Sequence, residues 1–266
     1  MLTIRWTIGP VMPSGTKALK LSVENAANLY PNARLITCYN GDVQLPSLPK
    51  QVEILKQDWL QCPIPHAYKP VKTDSGFDTN INNVGGSMWK YCPPRLQPDG
   101  HEIFMDNDLI LLNRHPLIDR FLSDNKVLML QDRIRCVGRY ESEFIDSDDH
   151  YNAGFFGLPP RYDVGSDLMQ VWSDHGCYDG LTQADEQGLT VVTLRRHPHF
   201  TISSNDIVEL HDGGFPKYGI KPIICDRFEF GKRTVTGFHF VGLNKRNGHQ
   251  HFDMFMRYLK CMRLGP

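Results

Sequence analysis

Glu102-Ile103-Phe104-Met105-Asp106-Asn107-Asp108-Leu109-Ile110-Leu111-Leu112 is the stretch on which the fold turns. Glu102 to Met105 suits a buried strand, and an apolar run resumes at Leu109. Two carboxylates interrupt it. Burying them unpaired would be expensive, so the interruption needs a reason. One is a turn in which Asp106 caps backbone N–H groups. The other is a site: if the chain curls there, both carboxylates face one point, and a hard divalent cation such as Mg²⁺ or Mn²⁺ takes oxygen ligands of that kind.

Outward from this strand, the pattern alternates. Ile4 to Ile8 reads as a first strand, closed by Gly9-Pro10. Leu19, Val23, Ala26 and Leu29 recur at helical spacing from Lys17 onward, and Pro31 marks the end. Ala33 to Tyr39 suits a second strand and Val52 to Leu55 a third. Strand and helix in turn predict an α/β fold with a mostly parallel central sheet flanked by helices. Residues 61–83 are rich in Pro, Asp, Asn and Lys and read as a long active-site or surface loop. Ser87 to Tyr91 begins a short helix, stopped by Pro93-Pro94. Beyond the central strand we expect a helix from Pro116 to Leu122 and strands at Lys126 to Gln131 and Asn152 to Gly157. A further helix is expected from Asp163 to Trp172. Asp185-Glu186-Gln187 reads as the end of a short helix, ahead of a strand-like Leu189 to Leu194. Thr236 to Val241 is a late strand. Phe252, Phe255, Met256 and Leu259 form an apolar helical stripe, read as core and hence a monomer. Without a repeat or a strong linker, residues 1–266 are expected to make one domain.

Composition narrows the function. Lys plus Arg is 29 against 30 Asp plus Glu, for a net charge of -1. A nucleic-acid partner is not expected from that balance, because duplex binders carry a basic surface. No apolar run reaches the roughly 18 residues that span a bilayer, and the first ten residues make a poor signal peptide. The seven cysteines are scattered with no C-x-x-C pair, which argues against a thiolate zinc site and for reduced thiols in a cytoplasmic protein. A peripheral membrane contact is compatible with the sequence, but no strongly basic amphipathic helix requires one.

A second group lies late in the chain, His239-Phe240-Val241-Gly242-Leu243-Asn244-Lys245. His239, in an apolar strand, is either a satisfied core histidine or an imidazole for the same cation. Gly242 leaves room for a diphosphate against the backbone, and Lys245 offers it a positive charge.

Together the two groups resemble the retaining glycosyltransferase family 8, the glycogenin and bacterial galactosyltransferase group, or a distant relative of it. That family carries an apolar strand ending in D-x-D and a late H-x-x-G-x-x-K. The resemblance implies a GT-A fold, with Asp106, Asp108 and His239 ligating Mn²⁺ (or Mg²⁺). It also implies that Gly242 and Lys245, with Asp106 through its cation, bind the diphosphate of a nucleotide-diphospho sugar, UDP-linked. Trp89 to Leu96 resembles the family's segment upstream of D-x-D, which makes Lys90 a candidate for the donor sugar or phosphate and Arg95 a scaffold residue. Asn152-Ala153-Gly154 resembles the N-x-G segment lining the sugar pocket. Ala184-Asp185-Glu186-Gln187 resembles the D-Q-D segment, placing Asp185 or Gln187 near the reacting carbon. The chain departs from the family in the Asp-Glu-Gln order, in lacking the usual Asp and Tyr near the base after the first strand, and in having no Pro-Trp after Lys245.

The implied reaction moves a glycosyl group from the nucleotide sugar to a hydroxyl of a carbohydrate or other acceptor. Asp185, Asp148 and Asp149 are the carboxylates available if an inverting general base is needed, although residues 145–150 read as a solvated loop. Two alternatives stand beside this. Nucleotidyl transfer would use the same metal logic, but Gly9 to Lys17 only loosely imitates the basic Gly-rich loop it needs. A carbohydrate-binding protein on a decayed transferase scaffold would have little reason to keep Asp106, Asp108, His239 and Lys245 together.

Overall fold

A computed structural model describes residues 1–9, 13–39, 45–57, 61–64, 88–176, 182–210, 220–223, 227–230, 233–241, 252, 253, 255–257, 259 and 260. Gly242, Lys245 and all but the first four residues of the expected 61–83 loop lie outside these. Among the described residues no helix is long and apolar enough to cross a membrane.

The strands in chain order are β1 (Leu2–Ile8), β2 (Arg34–Tyr39), β3 (Val52–Lys56), β4 (His101–Asp106), β5 (Leu109–Leu111), β6 (Val127–Gln131), β7 (Tyr151–Leu158), β8 (His199–Ile202), β9 (Ile207–Glu209), β10 (Ile220–Ile223), β11 (Arg227–Phe230), β12 (Arg233–Val235) and β13 (Gly237–His239). The helices are α1 (Pro13–Leu29), α2 (Pro116–Phe121), α3 (Val164–Asp174) and α4 (Gln183–Arg195). Seven strands form the main sheet in the order β3-β2-β1-β4-β7-β6-β8. β1, β2, β3 and β4 run parallel, while β7 runs antiparallel to both β4 and β6. β1 is buried along nearly its whole length, as a central parallel strand covered on both faces must be. β1 pairs β2 on one side and β4 on the other, so the strand order reverses there. Open α/β sheets bind ligands beyond the carboxyl ends of strands at such a reversal. Thr7 of β1 pairs Asp106 of β4 at that end.

Helix α1 explains why the D-x-D turn sits where it does. Its apolar stripe, Ala18, Leu19, Val23 and Ala26, is fully buried, and each large side chain of that kind stabilises by about 1.5–3 kcal/mol. Its polar groups then fix the turn. Ser22 accepts from Trp6 Nε1 at 2.9 Å and donates to Leu109 O. Asn25 donates to Leu111 O at 3.0 Å and Asn107 to Gly15 O at 3.3 Å. The middle residue of D-x-D therefore holds the turn to the helix.

On the central strands β1 and β4, Arg5 and Glu102, each 1% exposed, form an ion pair of 3.0 Å. Arg5 also donates to Pro93 O at 2.9 Å and to Lys90 O. Glu102 accepts from the amides of Leu96 at 2.8 Å and Gln97 at 3.0 Å. The segment carrying Lys90 is thus tied to two central strands. Arg95 donates to the carbonyls of Pro159, Tyr162, Gln97 and Gly100, a scaffold role.

One element departs from its sequence reading. Leu189 to Leu194 is helical, not a strand, and Asp185-Glu186-Gln187 opens α4 instead of closing a helix. The capping box of Thr182 and Asp185 fixes the start. All six residues from Leu189 to Leu194 are buried, so the run shows no amphipathic stripe and imitates a buried strand. A small three-stranded sheet, β5-β13-β9, completes the site side of the fold. Phe252, Phe255 and Leu259 pack with Phe238 and Phe240 in a cluster behind it, while Met256 is 38% exposed.

Candidate metal centre

Asp106 ends β4, Asp108 precedes β5, and His239 ends β13. The β5–β13 ladder pairs Leu109 with His239, and Phe240 N donates to Asp108 O at 3.0 Å. These bonds bring residues distant in sequence into one cluster, in which a ligand atom from each of the three lies within 4.8 Å of the others. His239 Nε2 is 3.3 Å from Asp108 Oδ1 and 3.6 Å from Asp106 Oδ2. Ligands held at right angles about 2.1 Å from a hard cation sit about 3 Å apart, so the three need only small shifts to close on one. The imidazole is 5% exposed while Asp106 is 37% exposed, leaving the open side of the cluster on the carboxylates.

Gly154 of β7 forms the floor. A Cβ there would stand 2.6 Å from Asp106 Oδ2, 2.7 Å from His239 Cε1 and 2.8 Å from Asn152 Oδ1. Glycine at this position keeps the cradle open. Two acidic oxygens and one imidazole nitrogen suit Mn²⁺ or Mg²⁺.

The electrostatics fit a site built for a positive charge. Burial acts against a charged imidazole, yet the surrounding carboxylates of Asp106, Asp108 and Glu209 hold His239 well above the usual histidine range. Burial pushes the Asp106 carboxyl up, but His239 and the charge of Lys90 bring it below its ordinary value. Burial raises Asp108, which His239 only partly offsets. A proton on His239 and a cation therefore compete for the same place.

Lys90 is buried, with Nζ 2.7 Å from Glu186 Oε1 and 3.1 Å from Ala153 O. Two of its three protons are engaged, beside Asp106. Burial pushes the Glu186 carboxyl up, and Lys90 counters it. Asn152 is locked on both sides, accepting from Gly154 N at 2.6 Å and donating to Glu209 and, at 3.3 Å, to Asp132. Gln187 Nε2 reaches the same Asp132 oxygen at 3.3 Å. The structure thus gathers Asp106, Asp108, His239, Lys90, Asn152 and Gln187 around one network. Asp185 stands apart. Its carboxylate accepts from Thr182 N and Arg139 N, both at 2.8 Å, and lies 3.6 Å from Arg139 Nε, so capping and pairing account for it. Asp148 and Asp149 are exposed.

Asp132 and Glu209 are site residues that sequence reading did not single out, while Glu186 and Gly154 stood inside motifs it quoted. Asp132 follows the apolar strand β6 as Asp106 ends β4. Glu209 stands alone between Ile207-Val208 and Leu210. A lone carboxylate in an apolar run is the signal that points to Glu209, whereas Asp132, between Gln131 and Arg133, is marked only by closing an apolar strand.

Burial, a hydrogen bond with Glu209 and the charge of Glu209 push Asp132 up to about 7. An ordinary Asp titrates near 3.9. Between about pH 4 and 7 the folded chain keeps a proton that the unfolded chain has released, so stability falls as pH rises through that window. The loss is at most about 4 kcal/mol, and sharing with Glu209 reduces it. Asp132→Asn mimics the protonated form. In metal-free protein its melting temperature should decline less between about pH 5 and 8 than that of the parent chain. Parallel declines would show that Asp132 does not carry this proton.

With the geometry in hand, comparison with solved structures gives the fold its type. The chain is similar to the galactosyltransferase LgtC in complex with donor and acceptor sugar analogues, at TM-score 0.58 and 11% identity, covering 99% of this chain and 97% of that one. It is similar to mouse xyloside xylosyltransferase 1 at TM-score 0.51 and 10% identity, covering 91% and 98%. It is also similar to the bifunctional glycosyltransferase WbbM at TM-score 0.57 and 12% identity, covering 97% of this chain and 51% of that one. The fold is of the GT-A type. No family model and no curated protein matches the chain by sequence. At these identities the likeness concerns architecture, and the chemistry has to be argued from the residues.

Proposed function

We propose that this chain is a metal-dependent glycosyltransferase, moving a glycosyl group from a nucleotide-diphospho sugar, UDP-linked, to an acceptor hydroxyl. The observation that carries the reading is the convergence of Asp106, Asp108 and His239 over Gly154 at the strand-order reversal of a GT-A fold. In this reading the three side chains hold Mn²⁺ or Mg²⁺, which when bound neutralises charge on the departing diphosphate. Lys90, steadied by Glu186, adds fixed positive charge on the same side. Asn152 keeps the Gly154 backbone in place and Gln187 presents its amide toward the sugar pocket. Gly242 and Lys245 take the diphosphate, as the resemblance implies. Asp185 keeps the start of α4 in register and so sets where Glu186 and Gln187 stand.

Calorimetric titration with UDP and GDP, each with and without Mn²⁺, tests the reading. Mn²⁺-dependent binding of UDP, lost in Asp108→Ala, is the expected result. A folded protein that binds neither nucleotide with Mn²⁺ present would remove the basis for a nucleoside-diphosphate donor.

A further inference from the structure

Glu209 is fully buried and takes no part in the transfer as described above. Its place follows from the small sheet. β9 runs parallel to β13, with Glu209 in register with His239, and paired residues of a ladder project to the same face. Leu210 N donates to His239 O at 2.9 Å and locks that register. The two imidazole nitrogens are thereby sorted. Nε2 faces Asp108 and Asp106, whereas Nδ1 faces Glu209, 3.6 Å from its Oε1. Nδ1 is buried and makes no hydrogen bond at that spacing. A buried N–H left unpartnered costs free energy, and a small rotation of either side chain brings Glu209 within reach. Glu209 is itself held by the amide of Asn152, whose other end fixes Gly154.

A neutral imidazole ligates through one nitrogen and carries its proton on the other. We infer that Glu209 is a positioning residue that accepts the Nδ1 proton of His239, and so presents the Nε2 lone pair to the cation. A carboxylate partner of this kind also makes the ligating nitrogen more basic. The inference rests on the metal-centre reading above, and the test separates the two.

The experiment uses the full chain, without nucleotide, and the variants Glu209→Met, Glu209→Gln and His239→Asn, with folding checked by circular dichroism. Two quantities are measured: Mn²⁺ affinity by calorimetry, and the His239 tautomer from ¹⁵N-histidine spectra of the Mg²⁺-loaded protein. Glu209→Met, similar in size and without an acceptor, should weaken Mn²⁺ by roughly 10–100-fold and move the proton from Nδ1 toward Nε2. Glu209→Gln keeps an acceptor oxygen, so it should retain the Nδ1–H tautomer with a smaller loss of affinity. Parental affinity or an unmoved tautomer in a folded Glu209→Met protein overturns the inference. If that variant does not fold, parental Mn²⁺ affinity in Glu209→Gln overturns it instead. A parent chain that does not bind Mn²⁺, or a His239→Asn variant that binds it equally well, overturns the metal-centre reading and this inference with it.

Discussion

Gly154→Ala is expected to abolish Mn²⁺-dependent nucleotide binding in a chain that still folds. The added methyl would meet Asp106 Oδ2, His239 Cε1 and Asn152 Oδ1 at 2.6 to 2.8 Å. All three are side-chain atoms, so the methyl can be accommodated, but only by moving Asp106, His239 and the amide that holds the floor. Misplacing a functional group by about 1 Å costs on the order of 100-fold, and here several move together. The accompanying overpacking should cost about 1–3 kcal/mol. Gly157→Ala, in the same strand, is the control. Its methyl would strike Phe121 Cζ at 2.8 Å and Leu128 Cβ at 2.9 Å, in the core and not at the site. It should lose comparable stability while keeping metal-dependent binding. Equal loss of binding in both variants would mean that β7 acts through general stability, and that the cradle has no special part.

The largest effect on stability should come from Arg5→Met. The partner left behind, Glu102, is 1% exposed; breaking a buried pair costs about 3–5 kcal/mol, and Arg95, whose Nε lies 3.4 Å from Glu102 Oε2, offsets part of that. For a chain of this size each kcal/mol moves the melting temperature by roughly 2–4 °C, so a drop of about 5 °C or more is expected. Replacing both partners with apolar residues would not restore the fold fully. Glu102 also accepts the amides of Leu96 and Gln97, which would then lack their acceptor. Because Arg5 donates to Lys90 O as well, nucleotide affinity should weaken along with stability. Denaturant unfolding of Arg5→Met, set against an exposed substitution such as Lys20→Met, measures the first effect. A difference under about 1 kcal/mol would mean that water or a neighbour takes over the Glu102 carboxylate.

The parts of the fold legible in the sequence are those where local pattern and tertiary position agree. Ile4 to Ile8, Lys17 to Leu29, Ala33 to Tyr39 and Glu102 to Met105 read correctly because apolar periodicity and a Gly or Pro stop coincide. Leu189 to Leu194 misread because this stretch of helix α4 is buried at every residue, and complete burial erases the 3.6-residue period that marks a surface helix. The short strands β5 and β9, of three residues each, carry too little pattern to be seen. The members of the Asp106, Asp108 and His239 cluster were legible as charges in apolar strands. Glu209 gives the same kind of signal and Asp132 a weaker one, but both stand alone in sequence, and only the pairing of β9 with β13 and of β6 with β7 shows what each one faces. Asp185 illustrates the converse: its neighbours suggest chemistry, but its own carboxylate belongs to a helix cap.

The cluster is shared between β4, in the middle of the main sheet, and β13, near the end of the described chain. Backbone hydrogen bonds reach β13 from β5, β9 and the turn at Asp206. A cation held by Asp106, Asp108 and His239 would cross-link the main sheet to β13 of the small sheet. By linkage, whatever free energy the ion gains from an ordered β13 it must return as stability of that strand. Loading the ion and docking the C-terminal part of the chain are then two descriptions of one equilibrium, so that withdrawing the ion loosens the strand and peeling away the strand releases the ion.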